Sequence, residues 1–251
     1  MRIKSVIYSL VIVVVFVIHA TSCKKGNDTN NPIPDVTVKD IDGNVYHTVI
    51  IGTQTWMVEN LRTTKYHDGS PIPNVTDNTS WGNLTTGAYC NYNNDVAIGT
   101  KYGKLYNWYA ATNSKNLAPT GWHIPTNDEW TTMENYLIAN GYNYDGTTTD
   151  NKLAKALAAI TDWAISNEIG APGNDLTKNN LSGFTAFPGG GRSNKIGTFE
   201  DIGVWGYWWS STEGNTDGAW DLDLGFNNSG VFGGDGLYFK SWGFSVRCIK
   251  D

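Results

Sequence analysis

The stretch that decides the fold reads Gly121-Trp122-His123-Ile124-Pro125-Thr126-Asn127-Asp128-Glu129-Trp130. It predicts a short buried strand, a proline stop and then the start of a helix. Thr126 is a good N-cap, and Glu129 three residues later completes a capping box. Asp128 and Glu129 also place negative charge at the positive end of the helix dipole. We therefore predict that a helix begins directly after Thr126.

The residues that follow predict the buried face and the end of this helix. Four apolar side chains recur at the spacing of one helix face: Trp130, Met133, Leu137 and Ile138. Asn140-Gly141 then supplies a left-handed turn that ends the helix. In the preceding strand, His123 lies between two apolar residues, so we expect a hydrogen-bonded core histidine rather than a ligand or a base.

Length and composition indicate one sizeable domain. The chain has 251 residues, of which 13% are aromatic and only 17% are charged, and it contains 28 glycines and 11 tryptophans. Such a chain is long enough for a large core. Its many Trp, Tyr, Gly, Asn and Thr residues are typical of a loop-rich, secreted protein that contains strands. The net charge is -6 and no basic stripe occurs, so we predict no nucleic-acid partner.

The N-terminus has the pattern of a lipoprotein signal peptide. Residues 1–4 are a short basic region, and residues 6–18 are almost wholly apolar. The small residues Ala20-Thr21-Ser22 stand directly before Cys23, as in a bacterial lipobox. We predict a signal peptide over residues 1–22 and lipidation of Cys23. The alternatives are an ordinary signal peptide with an incidental cysteine, or an uncleaved anchor. Cleavage would remove Arg2 and Lys4 and no acidic residue, which changes the net charge from -6 to -8.

The rest of the chain is predicted to be a tether followed by one domain. Residues 23–35 are polar, rich in Asn and end in Pro-Ile-Pro, which is typical of a flexible tether. Residues 36–251 form the domain. Acyl chains would hold that domain to a membrane, so we predict a lipid-anchored protein of the bacterial cell envelope, at the outer membrane or cell surface.

Hairpins, helices and a C-terminal sheet predict an α+β fold. Residues 36–51 read as a hairpin that turns at Asp42-Gly43, and residues 55–58 return as a strand. Residues 62–100 are mostly turn formers around a short buried segment at 89–92. Residues 102–111 and 151–160 predict two further helices. Short strands are predicted at 206–211, 219–224, 231–232, 238–239 and 244–249.

The strand at 219–224 alternates apolar and acidic residues. Trp220, Leu222 and Leu224 alternate with Asp221 and Asp223. Such alternation is typical of a sheet that is wet on one face. We therefore expect the two carboxylates to face water.

Six ordered motifs resemble one bacterial family. They are Gln54-Thr55-Trp56-Met57-Val58-Glu59-Asn60-Leu61, Tyr102-Gly103-x-Leu105-Tyr106-Asn107-Trp108-Tyr109-Ala110, Gly121-Trp122-His123-Ile124-Pro125-Thr126, Gly183-Phe184 with Pro188-Gly189-Gly190-x-Arg192, Tyr207-Trp208-Trp209-Ser210-Ser211-Thr212-Glu213, and Gly243-Phe244-Ser245-Val246-Arg247-Cys248. Together they resemble the Fibrobacter succinogenes major paralogous domain, found in many bacterial surface lipoproteins. The resemblance spans residues 36–251.

This resemblance implies a fold but no activity. The family is similar to the wider group of formylglycine-generating enzymes (sulfatase-modifying factors) and C-type-lectin-like folds. The resemblance therefore implies a C-type-lectin-like α+β fold, with a twisted antiparallel sheet and two or three helices. Members often have a cysteine just before the proline that precedes Gly-Trp-His, and here that position is Ala118.

Two cysteines remain once Cys23 is assigned to the lipid anchor. In an oxidising compartment, Cys90 and Cys248 could form a disulfide, worth about 4–5 kcal/mol in the loop-entropy model. The alternative is two buried free thiols. Formylglycine-generating enzymes use a pair of nearby cysteines that bind copper late in the chain, and here only Cys248 lies late. We therefore predict that the protein is not an enzyme of this type.

The C-terminal aromatic and acidic residues are the candidate binding site. Sugar rings stack on aromatic faces, and carboxylates and amides hold hydroxyl groups or calcium. The candidates are Trp205, Trp220, Asp217, Asp221, Asp223, Asn227 and Arg192. The alternative is that most tryptophans are core, with one of Trp208 and Trp209 inward, and that Arg192 braces its loop by a salt bridge. We predict no cofactor other than calcium and no confident metal site.

These residues are compatible with three functions. The first is a lipid-anchored envelope domain that binds a ligand, such as a glycan, without catalysis. The second is a structural or protein-interaction module of the envelope. The third, an enzyme of the formylglycine-generating type, fits least, since the cysteine pair is missing.

Overall fold

The computed structural model describes residues 37–233 and 237–251. The predicted signal peptide (residues 1–22), Cys23 and the predicted tether (residues 23–35) lie outside the described residues, as does Val36. In the described part of the chain, no helix is long and apolar enough to cross a membrane.

The described residues form thirteen strands and five α-helices, together with two 3₁₀ turns at Tyr92–Asn94 and Leu176–Lys178. The strands are β1 (Thr37–Lys39), β2 (Val45–Ile51), β3 (Gln54–Met57), β4 (Tyr89–Cys90), β5 (Leu105–Tyr106), β6 (Trp122–His123), β7 (Gly191–Arg192), β8 (Phe199–Glu200), β9 (Trp205–Glu213), β10 (Gly218–Gly225), β11 (Phe232–Gly233), β12 (Tyr238–Phe239) and β13 (Ile249–Lys250). The helices are α1 (Asn78–Gly82), α2 (Val96–Tyr102), α3 (Trp108–Ala111), α4 (Asn127–Ala139) and α5 (Ala154–Leu157).

The two larger sheets confirm a mixed α and β fold with antiparallel pairing. One sheet has the order β1-β2-β3-β13-β6, which brings the C-terminal strand between the N-terminal hairpins and the strand before α4. The other has four strands: β9 lies along one edge of β10, and β11 and β12 pair with the opposite edge. Among the described residues, every pair of named strands is antiparallel.

The predicted N-terminal hairpin is confirmed, and its turn is held by one carboxylate. The Asp40 side chain accepts hydrogen bonds from the backbone amides of Asp42 (3.0 Å) and Asn44 (2.9 Å). Gly43 has a φ of 84°, a conformation that favours glycine. These local bonds set the register of β1 on β2, with Thr37 opposite His47.

Helix α4 begins and ends where the sequence predicts. The Thr126 hydroxyl accepts from the Glu129 amide (3.3 Å), and the Glu129 carboxylate accepts from the Thr126 amide (2.8 Å). The helix ends at Ala139, and Gly141 has a φ of 76°. On its buried face, the Trp130 ring stacks on Trp56 with 4.6 Å between centroids. This stacking fixes the helix against the first sheet.

The helix predicted over 102–111 is wrong in its first half. Gly103, with a φ of 87°, ends α2, and Leu105–Tyr106 pair with Tyr89–Cys90 as strands. The helix then restarts at Trp108, because the Asn107 side chain accepts from the Ala110 amide (3.0 Å) and caps a new turn. The apolar spacing of this segment therefore serves a strand and a short helix rather than one helix.

The helix predicted over 151–160 is confined to Ala154–Leu157. Ala158 leaves the helix in an extended conformation and pairs with Ala186. The Ala159 amide donates to the Ala186 carbonyl at 2.8 Å. Pairing with a distant segment thus overrides the local helix propensity. Helices α1 and α2, both short, were not predicted from the sequence.

The first residues of the last predicted strand, 244–249, form backbone hydrogen bonds with two different strands, β5 and β9. Phe244 exchanges backbone hydrogen bonds with Tyr106 of β5, and Ser245 accepts from Trp209 of β9. Only Ile249–Lys250 forms a named strand, β13. The segment therefore links the two larger sheets instead of extending one of them.

The prediction of a wet face on the second sheet is wrong. Trp208 and Trp209 are both 0% exposed, although they point to opposite faces of β9. Trp209 lies in one large hydrophobic cluster and Trp208 in another. Because a core lies on each side of β9 and β10, Asp221 and Asp223 are buried instead of facing water.

The two cysteines are buried free thiols, so the disulfide alternative is wrong. Cys90 packs in a small cluster with Trp81 and Leu105, whereas Cys248 packs in the large cluster that contains Met57. Burial raises the pKa of Cys90 to about 11 and raises that of Cys248 further. Both sulfurs are therefore protonated at neutral pH.

Candidate functional site

One face of the second sheet gathers aromatic and acidic side chains. Residues opposite each other on paired strands point to the same face. The register places Tyr207 opposite Asp223 and Trp209 opposite Asp221. Phe232 of β11 also lies opposite Asp223. The strand pairing thus brings side chains from three strands onto one surface.

Five rings form a continuous row on this face, which we call the aromatic row: Phe232, Trp205, Tyr207, Tyr238 and Trp242. Successive ring centroids along the row are 6.1, 6.0, 5.8 and 5.7 Å apart. Tyr207 is 7% exposed, whereas the other four rings are half-buried. Four residues of the row therefore keep part of their surface open to solvent, whereas Tyr207 in its middle does not.

Trp205 lies across β10 because the opposite residue is a glycine. Gly225 faces Trp205 in the register. A Cβ atom at Gly225 would approach the Trp205 ring to 2.9 Å, which is closer than real Cβ contacts. The absence of a side chain at Gly225 is what allows the indole to take its place in the aromatic row.

Three aspartates lie beside the aromatic row: Asp201, Asp221 and Asp223. Asp201 accepts a hydrogen bond from the Tyr207 hydroxyl at 2.9 Å. Asp221 is 3% exposed and Asp223 is 8% exposed. Within residues 37–233 and 237–251, Oδ2 of Asp221 has no hydrogen-bond partner. We call these residues and the aromatic row together the acidic aromatic site.

Electrostatics in this site favour neutral or positively charged groups. Burial, and next to it the charge of Asp223, raise the pKa of Asp221 well above its usual range. Burial also raises the pKa of Tyr238, as do the charges of Asp221, Asp223 and Asp201. The same combination of burial and nearby acids raises the pKa of Tyr207. Both phenols therefore keep their protons and can donate hydrogen bonds.

The structure brings together Trp205, Asp221 and Asp223 of the candidates predicted from the sequence. Trp220 is half-buried and, by alternation along β10, points away from Asp221. Asp217 is exposed in the loop between β9 and β10, at the far end of these strands from Trp205. Asn227 is exposed two residues beyond Gly225, at the Trp205 end.

Arg192 is a core residue rather than a ligand-binding one. It is 0% exposed, and its guanidinium donates to the carbonyls of Val75 (2.6 Å), Thr76 (2.9 Å) and Gly197 (2.8 Å). Its charge also lies over the Trp81 ring at 4.6 Å. Arg192 braces its loop as the alternative predicted, but through carbonyls and an aromatic ring instead of a salt bridge.

Sequence reasoning missed five residues as parts of the site: Asp201, Tyr207, Phe232, Tyr238 and Trp242. The short strands that carry Phe232 and Tyr238 are predicted by their spacing and turns. The pairing of these strands with β10 is not predicted, because which strands pair with each other depends on the whole sheet. Asp201, with a φ of 67°, precedes β9 in a turn, and no local pattern distinguishes it from other turn aspartates.

His123 is hydrogen bonded, as expected, but it is half-buried instead of lying in the core. Its Nδ1 lies 2.6 Å from an Asp251 carboxylate oxygen and its Nε2 lies 2.8 Å from one of Glu129. Burial alone would lower the pKa of His123, but the hydrogen bonds to Asp251 and Glu129 outweigh burial and raise it. The ring therefore ties the C-terminus to the start of α4.

No cluster of three or more His, Cys, Asp or Glu side chains suited to a metal ion occurs among the described residues. Asp217 and Asn227 lie at different ends of β10, away from one another. These four oxygen donors, Asp217, Asp221, Asp223 and Asn227, thus do not converge as the calcium hypothesis requires.

Comparison with known proteins shows the family. No curated protein and no solved structure is significantly similar to the chain. The family model described as the Fibrobacter succinogenes major domain matches residues 49–250, from β2 to β13. The matched region includes α4, both larger sheets and the acidic aromatic site. The chain therefore belongs to the Fibrobacter succinogenes major domain family.

Proposed function

We propose that this protein is a lipid-anchored domain of the bacterial cell envelope that binds glycans at the acidic aromatic site, without catalysis. The observation that carries the proposal is the aromatic row with its adjoining carboxylates. Half-buried rings offer faces on which sugar rings stack, and the Asp and Tyr side chains offer hydrogen-bond acceptors and donors. This chemistry thus suits a polyhydroxylated, ring-shaped ligand.

A glycan array followed by calorimetry tests the proposal. We expect a glycan hit whose affinity falls by about tenfold, or about 1.4 kcal/mol, in Trp205→Ala. Trp220→Ala is the matched control, since Trp220 is also half-buried but points to the other face of β10. Equal loss in both variants, or no binding to any glycan, would refute the glycan proposal.

The lipid anchor rests on the lipobox at residues 20–23. We expect the full chain, expressed in bacteria, to incorporate labelled fatty acid and to fractionate with membranes. Cys23→Ala should abolish both, whereas Cys90→Ala, which changes a buried thiol, should abolish neither. Label retained in Cys23→Ala would contradict the proposed anchor.

The absence of catalysis belongs to the same proposal. A nucleophilic cysteine needs a depressed pKa and access, whereas Cys90 and Cys248 are buried and their pKa values are raised. These properties support a binding role over an activity of the formylglycine-generating type. Copper-dependent formation of an aldehyde on a cysteine peptide would overturn this part of the proposal.

We extend the proposal to the finer fold class, which we take to be C-type-lectin-like. The support is the family resemblance, together with a mixed α and β fold built on antiparallel sheets. An experimental structure superposed on C-type lectins tests it, and a different strand order in the larger sheets would reject it.

A second candidate function, protein interaction within the envelope, is favoured by one observation. Four large aliphatic side chains in the segment 160–181 are 56–87% exposed: Ile160, Ile165, Ile169 and Leu181. Exposed apolar side chains of this kind are common at interaction sites. A pull-down from envelope extract tests it: a partner that is lost with Ile165→Asp and kept with Trp205→Ala would favour this function.

A further inference from the structure

A half-enclosed cavity lies between residues 142–156 and the exposed segment 160–181. Its volume is about 250 Å³, and its apolar wall consists of Tyr142, Tyr144, Ala156, Ile169 and Leu181. Ligand pockets are typically concave and mostly apolar, with a few polar groups that fix orientation. This cavity, which we call the lysine cavity, shares no residue with the acidic aromatic site.

A glycine positions one wall of the lysine cavity. Gly170 has a φ of 84°, a conformation that favours glycine. A Cβ atom at Gly170 would lie 2.1 Å from the Tyr144 ring, so this ring packs directly on the glycine backbone. Tyr144 is nevertheless 41% exposed. The backbone therefore holds the ring as a wall that a ligand can still reach.

Among the described residues, the charged ones that line the cavity are Lys155 and Lys178. Lys155 is 7% exposed, and its ammonium donates only to neutral oxygens: the carbonyls of Ala171, Asn174 and Asp175, and Oδ1 of Asn179. Burial lowers the pKa of Lys155; the charge of Asp175 opposes this effect and that of Lys178 adds to it. An anionic group in the cavity would offset the cost of burying this charge.

Lys178 supplies a positive charge that a ligand can contact. Its side chain is 74% exposed, and its Nζ lies 3.1 Å from a carboxylate oxygen of Asp175, which does not line the cavity. An exposed ion pair contributes little to stability, so the ammonium can exchange Asp175 for a ligand carboxylate at little cost. Apolar walls and lysine charges together favour an apolar group that carries a carboxylate.

We propose that the lysine cavity binds the C-terminal residue of a partner polypeptide, with its apolar side chain against Tyr142 and Tyr144 and its α-carboxylate on Lys178. This inference rests on the second candidate function, protein interaction within the envelope, and names the chemistry of the partner. A side chain that fills a pocket is a typical anchor of a protein interface. The rim favours a polypeptide over a small free acid: Ile169 and Leu181 are 74% and 69% exposed, and the residues before the partner's C-terminus would cover them.

Two peptides that differ only in their last group test the inference. Both are N-acetylated Ala-Ala-Ile-Phe; one ends in a free carboxylate and the other in an amide. In calorimetry with the full chain in detergent, we expect the carboxylate peptide to bind at least about tenfold more tightly, and added salt to reduce the difference. No binding, equal binding or tighter binding of the amide would overturn the inference. Phenylpropionate should bind more weakly than the carboxylate peptide, and equal or tighter binding would indicate a small free acid instead of a polypeptide.

Three variants identify the groups responsible. Lys178→Gln should remove the preference for the carboxylate and keep the weaker binding of the amide. Lys115→Gln is the matched control, because Lys115 is also an exposed, ion-paired lysine but does not line the cavity, and it should leave the preference unchanged. Tyr144→Ala should weaken the binding of both peptides, since it removes part of the apolar wall. A preference that survives in Lys178→Gln would overturn the inference.

Competition in the pull-down separates this inference from the function on which it rests. An excess of the carboxylate peptide should displace the envelope partner, whereas the amide should not. If the partner is retained and the carboxylate peptide does not displace it, the interaction function stands and the inference fails. If no partner is retained but the peptides bind with the expected preference, the interaction function fails and the assignment of the cavity stands. Trp205→Ala should change none of these results, because Trp205 does not line the cavity.

Discussion

Replacing Asn60 by alanine should cost a large share of the stability of the fold. Asn60 is 3% exposed, and its Oδ1 accepts from the indole of Trp208 (2.7 Å) and from Nη2 of Arg247 (2.8 Å). Its Nδ2 donates to the Tyr102 carbonyl at 2.8 Å. One amide thus joins the segment after β3, the end of α2, strand β9 and the C-terminal segment.

The magnitude follows from the groups that lose their partner. Asn60→Ala leaves the Trp208 indole and the Tyr102 carbonyl without this partner. It also removes the Asn60 oxygen that accepts a hydrogen bond from Arg247. Arg247 is fully buried, and this burial lowers its pKa to about 9. Arg247 keeps its bonds to the carbonyls of Phe184 and Thr185, so it loses only part of its compensation. At about 1–3 kcal/mol for each buried group left unsatisfied, and with some relaxation, we expect a loss of about 3–5 kcal/mol.

Urea denaturation followed by tryptophan fluorescence measures this loss. The midpoint should fall strongly while the slope stays unchanged, since the surface exposed on unfolding is the same. Asn135→Ala is the control, because Asn135 is exposed on α4, and we expect it to change stability by less than about 0.5 kcal/mol. A loss below about 1 kcal/mol in Asn60→Ala would refute the idea that this amide joins the core.

Three further predictions concern the cap, a buried acid and the thiols. Thr126→Ala should cost about 1 kcal/mol in urea denaturation, because it removes the N-cap of α4; an unchanged midpoint would contradict the cap. Burial raises the pKa of Glu134 to about 7, so the folded state holds this proton more tightly than the unfolded state and stability falls as pH rises from about 4.5 to about 7. Glu134→Gln should therefore gain up to about 3 kcal/mol relative to the wild type at about pH 8 and nothing at about pH 4, and a pH-independent difference would be inconsistent with this assignment. Cys90 and Cys248 should both react with iodoacetamide in denaturant without reductant, and neither cysteine should react in the native state, because both are buried. A mass that shows a disulfide would disprove the free thiols.

Local signals were enough to predict α4 and the N-terminal hairpin. The bonds that start α4 run between Thr126 and Glu129, and those that hold the first turn run between Asp40 and Asn44. In both cases the partners lie within four residues. Sequence patterns can therefore predict where each of these elements begins and ends and which of its faces is buried.

The predictions of helices over 102–111 and 151–160 are wrong because residues in these segments bond to partners far away in the sequence. Leu105 pairs with Cys90, and Ala158 pairs with Ala186. These partners lie well beyond a helical turn, and their backbone hydrogen bonds compete with the local helix. Apolar spacing cannot distinguish a helix from a strand when a distant segment supplies the bonds.

The candidate site was predicted only in part. The crowding of Trp, Tyr and Asp residues in the last fifty positions pointed to β9 and β10, and Trp205, Asp221 and Asp223 do lie together. The sequence could not predict which residues share a face with them, since that depends on the register of β9, β11 and β12 on β10. It also suggested Arg192, which the fold buries.

The sequence by itself determined the family, the antiparallel hairpins and the stretch from Gly121 to Trp130 that starts α4, because each depends on residues close together in the chain. Only the tertiary structure decided that both faces of β9 are covered, that Asp221 is a buried carboxylate, and that Asn60 and Arg247 meet across 187 positions. Burial and hydrogen-bond compensation are properties of the assembled core. A residue acquires them from partners that its neighbours in sequence do not specify.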